Sequence, residues 1–435
     1  MPSAIDPSLP PTERAEAALA KCSELGVEAT KIFLTLDRAR LASDAAALEK
    51  RIATGESLPL AGMLCSIKDL IDRRGERTTA GSLLLEARDA AIEDAEIVTR
   101  LEQAGALILG RTNMSEFAYS GLGLNPHHGT PGAIFDTSRV PGGSSCGAAL
   151  SVAHGIVDVA IGTDTGGSVC IPAAVNGLYG FKPTADSVPD AGVHPLCADM
   201  DSIGPLAASL ADTLRVAGVL RGAPFAAEAT GTVPTLGVPS GPLCASLDPA
   251  VRSAFDGALD RLRRAGVKTV DIDLDWMQGI PPANRILIAT DAHRRYADAF
   301  GALERVGDPD VLRRIRFAEQ VSDQQLQAAQ TLRGEAIVRF SDALTDAGVD
   351  ALVSPTLRVV PPTIETARAD FDTCNAAMLA NGSLINFVDG CAFSLPLGPR
   401  VQADGSFPAL MLSAARGEDD RLAAAALAVD AAFAA

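Results

Sequence analysis

Residues 141–183 read PGGSSCGAALSVAHGIVDVAIGTDTGGSVCIPAAVNGLYGFKP, two glycine-rich serine turns set around one apolar segment. Glycine reaches positive φ without a Cβ clash and lets main-chain N–H groups approach a ligand, so GGSSCG and GTDTGGS mark two places where backbone meets substrate. Between them Ala148–Ala153 has the make-up of a short helix, and the β-branched run Ile156–Ile161 that of a buried strand. The order loop, helix, strand, loop hangs both turns on alternating strand and helix, and that alternation supports an α/β class.

A serine hydroxyl attacks poorly until a base draws off its proton. The chain has five histidines, His127, His128, His154, His194 and His293, and none stands in a triad context. His127 and His128 lie in a loop between Pro126 and Pro131, and His154 closes a helix before Gly155, where a cation favours the helix dipole. Lys68 is the better candidate. It ends the apolar run Gly62–Ile67 and precedes Asp69-Leu70-Ile71, and an amine desolvated at such a strand end has a lowered pKa and accepts a proton when neutral. On Lys68 alone a second reading stays open, in which the side chain pairs with Asp69 or reaches out to solvent.

Taken together, Lys68, GGSS and GTDTGGS closely resemble the amidase signature family of serine hydrolases. The lysine stands in PLAGMLCSIKDLID (59–72), and Arg139–Thr184 supplies RVPGGSS, GTDTGGS and GLYGFKPT. DSIGPLA from Asp201, DALVSPT from Asp350 and NFVDGCAFSLPLG from Asn386 are also similar to family stretches, so the likeness runs from about residue 37 to the C-terminus. Two serines 24 residues apart with an upstream Lys-Asp make a far more specific signal than a lone glycine motif. The resemblance implies an α/β/α sandwich around a large mixed sheet, with Ser168 as nucleophile, Ser144 as a cis-linked proton relay and Lys68 as base. It further implies an oxyanion hole from the amides of Thr165, Gly166, Gly167 and Ser168. Ser145 and Thr163 are then hydroxyls that hold Lys68 and the turn, and Asp164 bonds the loop amides.

Two positions depart from the commoner family form: Cys146 stands where glycine is usual, and Cys170 where arginine is. Arginine binds a carboxylate with two parallel hydrogen bonds, so Cys170 as a pocket residue points to a neutral amide, and both thiols are expected near the triad. Gly143–Gly147 also matches the GxSxG elbow, with Ser145 as nucleophile. An elbow needs a strand directly before it, and Val140-Pro141-Gly142-Gly143 is a turn. The expected activity is hydrolysis of a small carboxamide to a carboxylate plus ammonia or an amine, with no cofactor and no metal. The alternatives are the glutaminase subunit of a tRNA-dependent amidotransferase, an allophanate- or malonamate-type hydrolase acting on a carboxylate-bearing amide, and a binding protein that has kept the fold without catalysis.

With 37 basic against 54 acidic residues the formal net charge is −17, which disfavours a surface that tracks phosphates. Eight cysteines without a CxxC pair or metal spacing read as reduced cytosolic thiols. The first residues lack the basic and apolar regions of a signal peptide, and no stretch is long enough to span a membrane. A cytoplasmic enzyme follows, whose partner is a small-molecule amide rather than nucleic acid or membrane, with a homo-oligomer left open. No linker or repeat divides the chain, so the expectation is one domain over 1–435. It comprises N-terminal helices within 12–54, a signature core at 59–225, a helical substrate-side region at 281–347 and a sheet return at 350–435. Further helices are expected at 92–104, 208–221 and after Asp248-Pro249, an N-cap with proline at N1, and strands at Ala106–Leu109 and from Val270.

Overall fold

Among the described residues, eleven strands of one mixed sheet carry the apolar runs of the sequence: β1 (Phe33–Thr35), β2 (Leu64–Lys68), β3 (Leu107–Thr112), β4 (Val159–Asp164), β5 (Tyr179–Lys182), β6 (Ser202–Ala207), β7 (Thr235–Pro239), β8 (Lys268–Ile272), β9 (Ala351–Pro355), β10 (Cys391–Pro396) and β11 (Ala409–Ala414). This is a computed structural model that describes residues 3–226, 233–397 and 408–434. The spatial order is β1-β3-β2-β4-β6-β5-β10-β11-β9-β7-β8. Strands β3, β2 and β4 run parallel, as do β9, β7 and β8, and the strands between the two groups pair antiparallel. The fold is α/β, as the alternation of strands and helices implied.

Alternation along the strands separates two apolar faces. In the first half of the sheet, Cys65, Ile67, Ile108, Val159 and Ile161 join one cluster with the helices Glu96–Gln103 and Leu210–Arg221. Leu64, Leu107, Leu109, Ala160 and Leu206 join another with Pro11–Leu25, Arg38–Ala53 and Cys146–Ala153. In the second half the helices Pro249–Arg264 and Asp419–Ala434 cover one face, and Ile280–Tyr296 and Asp323–Asp346 the other. Both faces being covered, central strands such as β2 are buried at every position, which is why LCSIK reads as a continuous run rather than an alternation.

Several boundaries differ from the sequence reading for identifiable reasons. The strand expected at Ile156–Ile161 is β4, three residues later. The amides of Ile156 and Val157 close the preceding helix on Ser151 O, and the Asp158 carboxylate takes hydrogen bonds from Leu64 N (2.7 Å) and Arg14 (2.8 Å), so pairing starts only at Val159. The helix expected from residue 92 begins at Glu96, because the Ala95 amide is held by Asp72 O. Asp248 makes no side-chain cap to the helix Pro249–Arg264; its carboxylate accepts from Val360 N at 2.8 Å and fixes the chain beyond β9. The strand expected from Val270 is β8, starting at Lys268; it is the sheet's edge and mostly exposed.

Candidate active site

Strands β2 and β4 are parallel neighbours, with Ile67 opposite Ile161, so Lys68 and the pair Thr163-Asp164 emerge at the same carboxyl edge of the sheet. That edge is where open α/β sheets place their ligands. Lys68 is fully buried, its Nζ lying 2.7 Å from Ser144 Oγ, 2.9 Å from Thr163 Oγ1 and 3.4 Å from Thr163 O. All three neighbours are neutral. Burial pulls the Lys68 ammonium down to about 7, while the charges of Asp164, Cys146 and Asp201 act in the opposite direction. Asp69, the other partner considered for Lys68, is taken by Arg111 Nε (2.8 Å), the Thr79 hydroxyl and Gly81 N. Of the two readings of Lys68, the geometry matches the buried amine against a serine, not the ion pair with Asp69 or the exposed side chain.

Ser144 is presented by a cis peptide bond from Gly143. The Gly143 amide bonds Gly121 O at 2.8 Å, and a Cβ on Gly143 would come within 2.4 Å of Gly123 N, so no side chain fits there. Ser145 does not touch Lys68. Its hydroxyl reaches Thr163 O at 3.4 Å from the start of the helix Cys146–Ala153, fully buried, which also removes it as an elbow nucleophile.

The second serine turn is organised by Asp164. Its carboxylate accepts from Gly167 N (2.6 Å), Val169 N (2.7 Å), Cys170 N (3.3 Å) and Asn386 Nδ2 (2.8 Å). Gly167 sits at φ +120°, packed so closely on Gly382 that a Cβ on Gly382 would be 2.6 Å from Gly167 Cα. This corrects the expected oxyanion hole: the Gly167 N–H is spent on Asp164. Among the described residues the amides of Thr165, Gly166 and Ser168 donate to no protein acceptor. The Thr165 hydroxyl bonds Asp201, whose other oxygen takes Leu196 N (2.8 Å) and Cys197 N (3.1 Å). Burial pushes the Asp201 carboxyl up to about 6, against the hydrogen bonds from Thr165, Leu196 and Cys197. Asp201 therefore ties the turn to the opposite loop, a link that the sequence showed only as part of DSIGPLA.

Thr165, Gly166 and Ser168 form part of the wall of a cavity of about 410 Å³. Cys170 does not: it is 2% exposed and belongs to the buried apolar cluster that includes Leu243, Ile272 and Leu352. The expected pocket role of Cys170 is thus corrected, and with it goes the only residue that argued for a neutral substrate. Cys146 is near Lys68 as expected but fully buried against Asn113 O.

What the sequence reading missed are the cationic groups of that cavity. Arg285, on the helix Ile280–Tyr296, and Arg314, on the helix Pro309–Arg316, line it from the helical region, and Arg358 lines it from beyond β9. Arg314 stacks over the Tyr119 ring at 4.4 Å with its Nε buried and unbonded, and Arg285 over Phe317 at 3.8 Å at the rim. None of the three has a carboxylate in salt-bridge reach among the described residues, although acidic residues outnumber basic ones in this chain. The partial signal in sequence is the lack of any acid three or four residues from Arg285 and Arg358. Asp310, four before Arg314, is taken by Arg313 at 2.6 Å.

A mixed α/β sheet carrying this arrangement at its carboxyl edge, and the relatives described next, define a hydrolase of amide C–N bonds. The chain belongs to the Amidase family, whose model matches residues 14–423. It is 33% identical over 393 residues to 2-amino-5-chloromuconic acid deaminase of Comamonas testosteroni, covering 84% of this chain and 81% of that one. It is 31% identical over 432 residues to a glutamyl-tRNA(Gln) amidotransferase subunit from Roseiflexus sp. (strain RS-1), covering 89% of this chain and 88% of that one. A crystal structure of an amidase superposes with a TM-score of 0.87 at 28% identity, over 97% of this chain and 96% of that one. Among the described residues no cluster of three or more His, Cys, Asp and Glu is arranged to hold a metal ion, and no helix is long and apolar enough to cross a membrane.

Proposed function

We propose that the chain hydrolyses a small amide bearing a carboxylate, through an acyl-enzyme on Ser168. The observation that carries this reading is the buried contact of Lys68 with Ser144, since an amine held near pKa 7 is a base at neutral pH. Lys68 draws the proton of Ser144 as Ser144 draws that of Ser168, and Ser168 attacks the amide carbonyl. The oxyanion is received by the amides of Thr165, Gly166 and Ser168, which are free to donate. Ser144 returns the proton to the leaving nitrogen, and water hydrolyses the ester by the same relay. Asp164 and Thr163 hold the turn and the lysine in place.

The carboxylate enters through Arg314. A half-buried guanidinium with no carboxylate in salt-bridge reach, its nearest acid Asp372 being bonded to Arg313, is costly to keep, and a bound carboxylate offsets that cost with charge-assisted hydrogen bonds. The relatives agree in kind, one being named for an acid and another for a glutamyl group. The test is ammonia or amine release across matched neutral and carboxylate-bearing amides, with Ser168→Ala and Arg314→Met alongside. Turnover should favour carboxylate-bearing amides, vanish in Ser168→Ala and show KM raised by about tenfold or more in Arg314→Met. Full activity in Ser168→Ala overturns the chemistry, and a preference for neutral amides overturns the charge assignment.

A further inference from the structure

The arginines of the cavity are not one cluster. Arg314 has Tyr119, Asp372, Arg285 and Arg313 within electrostatic reach, Asp372 being bonded to Arg313, whereas the titratable neighbour felt by Arg358 is Cys244. Arg358 is held differently as well. Its Nε donates to Asn381 Oδ1 at 2.7 Å and one terminal nitrogen to Ala380 O at 3.2 Å. Asn381 is itself locked, its amide donating to Leu243 O (2.9 Å) and Pro355 O (2.7 Å). The guanidinium is thus fixed by neutral acceptors with its charge uncompensated, which is the state of a group organised in advance for an anion. The same cavity wall includes Asn284, 8% exposed, whose Oδ1 is buried without a donor and so awaits one from a ligand. Among the described residues no Asp or Glu lines the cavity to compete for these cations.

We infer that the substrate carries two carboxylates, one received by Arg314 with Arg285 at the rim and the other by Arg358, with the scissile amide between them over Ser168. This rests on the carboxylate-bearing reading above and narrows it from a monoanion to a dianion. Two fixed cations a set distance apart also select length: a dianion that spans them gains from both, and a shorter or longer one gains from a single pole.

The experiment measures binding rather than turnover, so that it does not depend on guessing the amide. Calorimetry on the full-length Ser168→Ala protein compares linear dicarboxylates from succinate to suberate with monocarboxylates of the same chain length. At one length the dicarboxylate should bind about tenfold or more tightly than its monocarboxylate counterpart, and Arg358→Met should bring it down to the monocarboxylate's level. Arg358→Lys, which keeps the charge but loses the fork, should retain part of the advantage, and this separates a lost cation from a disturbed fold. If no dicarboxylate of any length exceeds its counterpart while monocarboxylates bind and weaken in Arg314→Met, the two-carboxylate inference is overturned and the carboxylate reading stands. If monocarboxylates bind no better than the matching primary amides, both fall.

Discussion

Replacing Lys68 by methionine separates what the lysine does for the reaction from what its burial does to the fold. Unfolded, Lys68 keeps its proton up to the ordinary value of 10.5; folded, burial brings it to about 7. Between these values the unfolded state binds the extra proton, so stability rises with pH across that window. From about pH 7 to pH 9 this one group contributes a rise of about 2 kcal/mol. Methionine also leaves Ser144 Oγ and Thr163 Oγ1 without their partner, at about 1–3 kcal/mol each, but that loss does not vary with pH. Asp201, near 6, is largely ionised over most of the window, so its own titration adds little to the difference between the two proteins. Urea unfolding of wild type and Lys68→Met at a series of pH values should therefore show the difference between them grow by about 2 kcal/mol in favour of wild type from about pH 7 to pH 9. In parallel, wild-type kcat/KM should climb through about pH 7 and level off above it, and Lys68→Met should be inactive. A stability difference that stays flat over the window means that Lys68 is charged in the folded protein, and the base assignment is then refuted.

The charge of Asp201 raises the Lys68 pKa, so Asp201→Asn should move the acid limb of the kcat/KM profile to lower pH; an unmoved limb, measured with the same substrate, shows that the two groups are not coupled. Cys146 and Cys170 are both buried, and burial pushes the Cys146 thiol up to about 12 and that of Cys170 well above its usual range. Iodoacetamide at neutral pH should consequently leave native activity intact, with mass spectrometry finding both thiols unmodified until denaturant is added.

Much of the chemistry could be read before the fold, because the groups that carry it are close in sequence and need special backbone. Gly143 and Gly167 stand where a Cβ does not fit, and such positions announce themselves as glycine-rich runs. Lys68 was legible as a charge closing an apolar strand, although only the register of β2 against β4 shows that it meets Thr163 and not Asp69. The Gly167 amide could not be assigned, since whether an N–H faces substrate or a carboxylate three residues back is decided by the turn's geometry. Cys170 misled for a similar reason: its place in the sequence beside the nucleophile says nothing of which side of a tight turn it faces. The cavity's arginines showed in sequence only as composition and, for Arg285 and Arg358, as the lack of a nearby acid. That Arg314 is bare while Arg313 beside it is paired to Asp310 and Asp372 depends on helix facing and on segments far apart in the chain.

The cavity wall also has a history written in chain order. The residues proposed to break the bond lie at the end of β2 (Lys68), in the loop between β3 and β4 (Ser144) and just after β4 (Ser168), whereas Arg285 and Arg314 arrive on one uninterrupted excursion that leaves the sheet after β8 and returns at β9. An excursion with a single exit and a single return can be exchanged in a lineage, or grafted in the laboratory, as one cassette. Selectivity in this chain is therefore free to drift by replacing residues 275–350 and retuning the loop that bears Arg358, while the catalytic edge descends unchanged.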